Sequence, residues 1–260
     1  MDEWFGYDVA DTSPEALSGQ SHSLCPFIDA TCTKGPSASP TGACSAHQTR
    51  GNTLAICPNR LYDAGYRVLS NVAREAFGTS ATVIHPDEFH ATVHDGTKVV
   101  AFGKGYGREL RLPSRDGVGS YYVDWILARI SGSAQLAEFV AVEVQTIDTT
   151  NSYSETIKQL RLGNREPVRN DVGLNWENVS KRILPQLIYK GHVLRHEKLC
   201  HKGLFFICPE QVYSRILTRL GGGLTEYYHQ PGAITFHPYA LDGPNGTRRQ
   251  LAQRQSFTTT

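Results

Sequence analysis

Between Asn59 and Gly78 the apolar positions Leu61, Tyr62, Tyr66, Leu69, Val72, Ala73, Ala76 and Phe77 recur at helical spacing. Asn59 reads as the N-cap, and Gly78 stands where a C-terminal cap belongs, so the pattern predicts a helix. The period then changes from helical to alternating. FHATVHDGTKVVAFG (89–103) predicts two strands joined by Asp95-Gly96, a dipeptide suited to a tight hairpin turn. YYVDWILARI (121–130) and EFVAVEVQTI (138–147) are rich in β-branched and aromatic residues and predict two more strands, with SGSAQ as the loop between them. Ser152 with Glu155 forms a capping box for a helix over SETIKQLRL. GLFFIC (203–208) reads as a buried strand. Pro209 then opens a helix carrying Val212, Ile216, Leu217 and Leu220, which stops at Gly221–Gly223. The chain from Arg248 onward is polar and predicts a frayed end. Strands alternating with helices give an α/β or α+β domain with a central mixed sheet flanked by helices.

The segment from Leu24 to Pro58 has neither period. It is rich in Gly, Pro, Ser, Thr and Cys, as in KGPSASPTGACS, and such a stretch buries little apolar surface. The chain therefore divides into an N-terminal segment, 1–58, ordered by something other than a core, and a main domain, 59–260.

Composition narrows the class. The chain has 260 residues, 40% hydrophobic and 20% charged, as a globular protein has. No apolar run approaches the roughly 20 residues of a membrane helix. The acidic start MDEWFGYD lacks the features of a signal peptide, so a cytoplasmic protein is expected. The net charge of +1 hides an asymmetry. Residues 1–150 hold 11 Lys and Arg against 17 Asp and Glu, whereas 151–260 hold 15 against 8. Such a division suits a chain that grips a polyanion with one region and binds cations with another, although surface scatter produces it too.

Candidate chemistry begins on the 138–147 strand. Val140, Val142 and Val144 point one way, into a core, while Phe139, Ala141, Glu143 and Gln145 point the other. A carboxylate on an otherwise apolar face is costly unless partnered, and Asp124 presents the same anomaly in the preceding strand. If the two strands pair, Asp124 and Glu143 converge and repel unless a cation lies between them. Mg²⁺ suits that position, because it takes few carboxylates and keeps waters for a phosphate substrate. The bland reading is a solvated strand face without chemistry.

Four of the six cysteines crowd one region. Cys25, Cys32, Cys44 and Cys57 follow the spacing C-x6-C-x11-C-x12-C. Four thiolates can close a tetrahedral site around Zn²⁺ or iron, and the sequence leaves that choice open. Disulfides are the alternative in an oxidising compartment. Cys200 and Cys208 read as buried apolar residues.

An Asp followed by a strand bearing Glu-x-Lys marks the PD-(D/E)xK nucleases. Asp124 with Glu143-Val144-Gln145 resembles that signature, with Gln in place of Lys. Together with the cysteine cluster, including Cys25-Pro26-Phe27 and Gly42-Ala43-Cys44, it resembles the NotI-like type II restriction endonucleases over about Cys25 to Ile147. The resemblance implies a PD-(D/E)xK core and a bacterial enzyme that cuts double-stranded DNA at a long GC-rich site. It also implies a further acidic active-site residue at Glu109 and a single structural iron at the cysteines. The departures matter. No proline precedes Asp124, and the literal Pro86-Asp87 reads better as a turn. Gln145 carries no charge, so it would hydrogen-bond and aim the attacking water while the metal activates it.

A palindromic target needs two equivalent sites, so a homodimer is expected. Lys104 beside the glycines of GKGYG, together with Arg161, Arg165, Arg169 and Arg195, are candidates to contact DNA, with Arg182 in the same basic half. His192, His196 and His201 lie among Arg195, Lys198 and Lys202 and read as part of that surface. GKGYG lacks the Lys-Ser/Thr of a phosphate-binding loop, so no nucleotide cofactor is expected. His85, His90 and His94 could form a second metal site but read better as structural. The rivals are a repair or homing nuclease with the same acidic residues, and a metal-finger DNA-binding protein without catalysis.

Overall fold

The stretch read as two strands over 121–147 folds back on itself and forms the middle of an eight-stranded sheet. In the computed structural model the described residues are 1–47, 52–89, 96–112, 122–151, 153–165, 172–243 and 248–260. The strands of this sheet are β1 (Thr82–Ile84), β2 (Lys98–Gly103), β3 (Trp125–Ile130), β4 (Leu136–Val144), β5 (Leu204–Pro209), β6 (Ile234–Asp242), β7 (Gln250–Gln253) and β8 (Phe257–Thr259). Neighbours in sequence are neighbours in space from β1 through β7, and β8 also pairs with β6. β2, β3 and β4 run antiparallel, while β1/β2, β4/β5 and β5/β6 are parallel. Parallel neighbours need crossovers, and helices supply them after β4 and β5.

Both faces of the sheet are covered, as the mixed sheet flanked by helices requires. Helix α1 (Asp63–Phe77) lays Val68, Leu69, Val72, Ala73 and Ala76 against the face carrying Val140, Val142 and Val144. The opposite face, with Ala141 and Phe206, packs on α2 (Ser154–Arg161), α3 (Leu184–Leu194) and α4 (Glu210–Arg219). The predicted helix from Asn59 is interrupted. Pro58–Tyr62 forms a 3-10 turn, and Ala64, Gly65 and Tyr66 adopt φ of 54°, 66° and 60° before the regular turns of α1 begin. Left-handed backbone costs non-glycine residues about 1 to 2 kcal/mol each, and here it delivers the Tyr66 ring onto Trp125. Gly78 does end the helix.

Other expectations changed. Tyr153 takes the N-cap of α2 without a side-chain bond, and Ser152 lies outside the described residues, as do His90, His94 and Asp95. The end of the chain is not frayed. β7 and β8 both hydrogen-bond to β6, and Leu251, Thr258 and Thr259 are buried. The first 58 residues bury more than their composition suggested. Glu3–Trp4, Tyr7–Asp8, Ala43–Ala46 and Leu54–Ala55 form a four-stranded sheet, and Trp4, Phe5, Phe27, Leu54 and Ile56 are buried. Arg60, fully buried, donates from Nε and Nη2 to both oxygens of buried Glu3 and from Nη2 to the Arg249 carbonyl. This one side chain ties the beginning of the chain to its end.

Candidate active site and thiol cluster

The strand predicted over 121–130 breaks at Asp124. Tyr122–Val123 pairs with Leu110–Arg111, and β3 starts at Trp125. Register explains the break. Trp125 lies opposite Gly103, where a Cβ would come within 2.6 Å of both the Trp125 ring and the Asp124 carbonyl. Only glycine permits that approach. Trp125 is then fixed by Nε1 donating to Tyr62 Oη at 2.9 Å and by the rings of Tyr62, Tyr66 and Tyr106. With its neighbour held, the Asp124 side chain turns to β4, where Oδ2 accepts the Val144 N–H at 2.8 Å.

Trp125 pairs with Val142, so the next step of the register sets Asp124 beside Glu143. The two carboxyls do meet electrostatically. Burial, then the Asp124 charge, push Glu143 up to about 7. Burial also raises Asp124, with Glu109 adding to it, while the Val144 N–H, Lys190 and Lys104 oppose the shift. Lys190, on α3, is the element the sequence reading missed. Its Nζ donates to Glu143 Oε1 at 2.5 Å, and both side chains are buried. A signal was available, because Lys190 falls on the buried stripe of Val179, Ile183, Leu187 and Leu194. That helical run, which starts at Trp176, was itself not anticipated.

The other oxygen of the carboxylate, Glu143 Oε2, is buried and makes no hydrogen bond of ordinary geometry, although the Asp124 backbone N–H lies near enough to favour the carboxylate's charge. An orphan acceptor beside a second carboxyl fits a cation. Among the described residues, no three or more His, Cys, Asp or Glu side chains are gathered as a ready ligand set. A cation at the carboxyls would complete its shell with water or phosphate, as Mg²⁺ commonly does.

In front of these groups opens a cleft of about 1010 Å³, lined by Asp124, Gln145, Lys104 and exposed Glu109 among others. The N-terminal segment contributes Lys34 and Cys57 to its lining. The cleft thus brings together five of the predicted residues, Asp124, Gln145, Lys104, Glu109 and Cys57, with Glu143 next to Asp124 but outside the lining.

All four clustered cysteines are buried free thiols, and none forms a disulfide. Burial raises Cys25, Cys44 and Cys57. Cys57 and Cys32 push Cys25 further, Cys57 and Cys25 do the same to Cys44, and Cys32 acts likewise on Cys57. Thiolates placed this near one another repel, and a bound cation would relieve the repulsion. Their chemistry therefore fits a soft metal, although the sulfurs are not drawn onto a common point. Cys200 and Cys208 lie in the core, as read from the sequence.

A model of the restriction endonuclease NotI family matches residues 15–207, well over half the chain. The chain belongs to the NotI restriction endonuclease family. No curated protein matches it. The matched span contains the thiol cluster, the cleft and Lys190, and ends within β5. Membership makes the protein a restriction endonuclease, a hydrolase that acts on DNA. Among the described residues no helix is long and apolar enough to cross a membrane.

The remaining candidates scatter within this NotI-family fold. Arg161 donates to Ser39 Oγ and the Pro40 carbonyl, while Arg165 donates to the Val9 carbonyl and Gln20 Oε1 and covers the Trp4 ring. Both guanidinium groups thus bind α2 and the chain after it to the N-terminal segment. Arg195 follows α3 and borders a separate hollow of about 580 Å³. Arg182 pairs with Asp148, and Arg169 lies outside the described residues. His85 accepts the Asp87 N–H and packs on Tyr106. Lys202 pairs with Glu138. Exposed His192 and His196 face each other with Arg195 beside them, and exposed His201 stands with Lys198 nearby.

Proposed function

We propose that the protein is a type II restriction endonuclease that hydrolyses phosphodiester bonds of double-stranded DNA with Mg²⁺, at a specific palindromic, GC-rich site. The observation that carries this reading is the orphaned Glu143 Oε2 beside Asp124, which itself lines a large cleft, within a NotI-family chain.

Asp124 and Glu143 would hold the cation. Bound there, Mg²⁺ would polarise the scissile phosphate and activate a water. Gln145, which lines the cleft, uses its amide to hydrogen-bond and aim that water. Exposed Glu109 adds negative charge to the cleft lining and supports the cation. Lys104 neutralises a phosphate and makes binding sensitive to salt. The whole arrangement is that of a Gln-for-Lys variant of the PD-(D/E)xK nucleases.

The four cysteines bind one iron, with zinc as the alternative, in a closed site without a substrate position. Their role is structural, since Cys57 stands at the cleft wall and its segment shapes that wall. Two copies of the chain form a homodimer that presents two equivalent cleavage sites to a palindrome.

Digestion of a fully sequenced phage genome by the purified protein with Mg²⁺ tests the reading. Discrete fragments with uniform ends are expected, and the ends give the target. Binding to a specific duplex without cutting would replace the reading with a metal-finger DNA-binding protein. Cutting only damaged or branched DNA would replace it with a repair nuclease.

A further inference from the structure

Position 145, two residues beyond Glu143 and just past the end of β4, offers no positive charge. The cation nearest the carboxylate in the described structure comes instead from helix α3. Lys190 Nζ lies 2.5 Å from Glu143 Oε1, and the pair joins residues 47 apart in sequence. Lys190 is only 3% exposed and does not line the cleft, so it meets Glu143 from behind. Gly191, the next residue, allows this depth. A Cβ there would stand 3.3 Å from Ile234 Cγ1 on β6, so a larger residue would require the Ile234 side chain to give by a few tenths of an ångström. Pro185 and the wide π turn of Val179–Ile183 precede it on the same helical run, which Val179, Ile183, Leu187 and Leu194 anchor in the core.

Glu143 therefore has two unlike oxygens. Lys190 holds Oε1, while Oε2 is buried and makes no hydrogen bond of ordinary geometry. A free carboxylate rotates about its last bond and can offer either oxygen or both. One with Oε1 tethered offers a single oxygen in a fixed direction. We infer that Lys190 is a positioning residue for the reaction: it pins one oxygen of Glu143 so that the other is presented, singly and in a fixed orientation, to the divalent cation. It does so without touching DNA. This inference rests on the proposed metal-dependent cleavage, and groups that hydrogen-bond to a metal's ligands typically contribute about 10–100-fold to metal affinity or activity.

The test uses the full chain and the series Lys190→Arg, Lys190→Gln and Lys190→Met. Mn²⁺ binding in the absence of DNA is measured by calorimetry and by the electron paramagnetic resonance of bound Mn²⁺. Cleavage is followed as kcat and KM on plasmid DNA. Lys190→Met is expected to weaken Mn²⁺ binding by about 10-fold or more and to broaden the bound-ion spectrum, with kcat lowered by a similar factor and KM for DNA within about twofold. Lys190→Arg, which keeps a charged donor, should recover most of the loss, and Lys190→Gln should fall between. If Lys190→Met does not fold, Lys190→Gln decides by the same readings. Wild-type Mn²⁺ affinity, spectrum and kcat in a folded Gln or Met variant overturn the inference. If the wild type binds Mn²⁺, the variants lose that binding and no form cuts DNA, the nuclease reading falls, and with it the part of Lys190 in a reaction, while its positioning of Glu143 for the cation stands.

Discussion

Asp124 Oδ2 accepts the backbone N–H of Val144 at 2.8 Å, so the carboxyl that faces the cleft is also the clasp between the strand break and β4. These two duties separate by substitution. Asp124→Asn keeps an acceptor for Val144, so its stability should stay within about 1 kcal/mol of wild type. Asp124→Ala loses that bond as well and should melt lower. Both should lose at least about 1000-fold of Mg²⁺-dependent plasmid cleavage, on the order of 4 kcal/mol of transition-state stabilisation. Glu143→Ala should be equally inactive. Wild-type cutting by the Asn variant would remove Asp124 from the chemistry.

Glu143 makes the response to Mg²⁺ depend on pH. Burial and Asp124 push it up to about 7, above the ordinary 4.5. The folded protein thus keeps a proton there that the unfolded chain has released over that interval. Its contribution to the stability of the metal-free protein is full below about 4.5 and declines as pH rises through about 7. A cation needs the ionised carboxylate. The rise in Tm on adding Mg²⁺, measured by scanning calorimetry, should therefore be larger at pH 8 than at pH 6. An equal or smaller rise at pH 8 would contradict this linkage.

Arg60 has no exposure, and Glu3 is buried with it. Arg60→Met leaves Glu3 charged, buried and without its bidentate partner, and should cost about 3–5 kcal/mol in urea denaturation. The double variant Glu3→Met with Arg60→Met should recover much of that loss. A single-variant loss below about 1 kcal/mol would show that water reaches Glu3.

The thiol cluster predicts a metal in the purified protein. Elemental analysis should find one iron or zinc per chain, with a visible thiolate band if it is ferric iron. Cys44→Ser or Cys57→Ser should lose the metal and lower Tm, since the free energy of binding a structural metal is also free energy of folding. Stoichiometric metal retained in both variants would rule out a four-thiolate site.

Glu75, on α1, lies 3.3 Å from His229 Nε2 and 3.1 Å from His237 Nε2. Burial alone would raise its pKa, but the two imidazoles outweigh that and hold it far below the usual carboxylate range. A depressed carboxylate stabilises the fold above its unfolded pKa of about 4.5 and loses that contribution as pH falls toward its folded value. Glu75→Gln should therefore destabilise the protein at pH 6 and make acid denaturation below pH 4.5 shallower. Unchanged acid denaturation curves would deny the linkage.

The alternation of EFVAVEVQTI exposed Glu143 as a carboxyl on an otherwise apolar face, and the neighbouring Asp124 strand with its short loop made their convergence a stated condition that the sheet register meets. The carboxyl was legible because strand periodicity is local. Lys190 was not, because its partner lies across a crossover and a lysine on a helical stripe reads as solvent-facing. β6 escaped notice because ITFHPYALD carries His237 and Pro238, polar and hydrogen-bond-poor positions that only the tertiary fold accommodates. Strands of two residues, such as Glu3–Trp4, carry no period at all. The left-handed turn at Ala64–Tyr66 was equally hidden, because the demand for it comes from Trp125.

The pairing of the chain's last strands with β6 has a consequence for handling the protein. One edge of this nine-residue strand faces β5. The other is covered in relay, Ile234–Phe236 by β8 and Tyr239–Asp242 by β7, with Arg254 N–H reaching the Pro238 carbonyl at the changeover. A chain cut back to residue 249 would bare that edge along almost its whole length. Unpaired strand edges recruit other strands, so the shortened protein should pass from solution into aggregate even with its cleft unaltered.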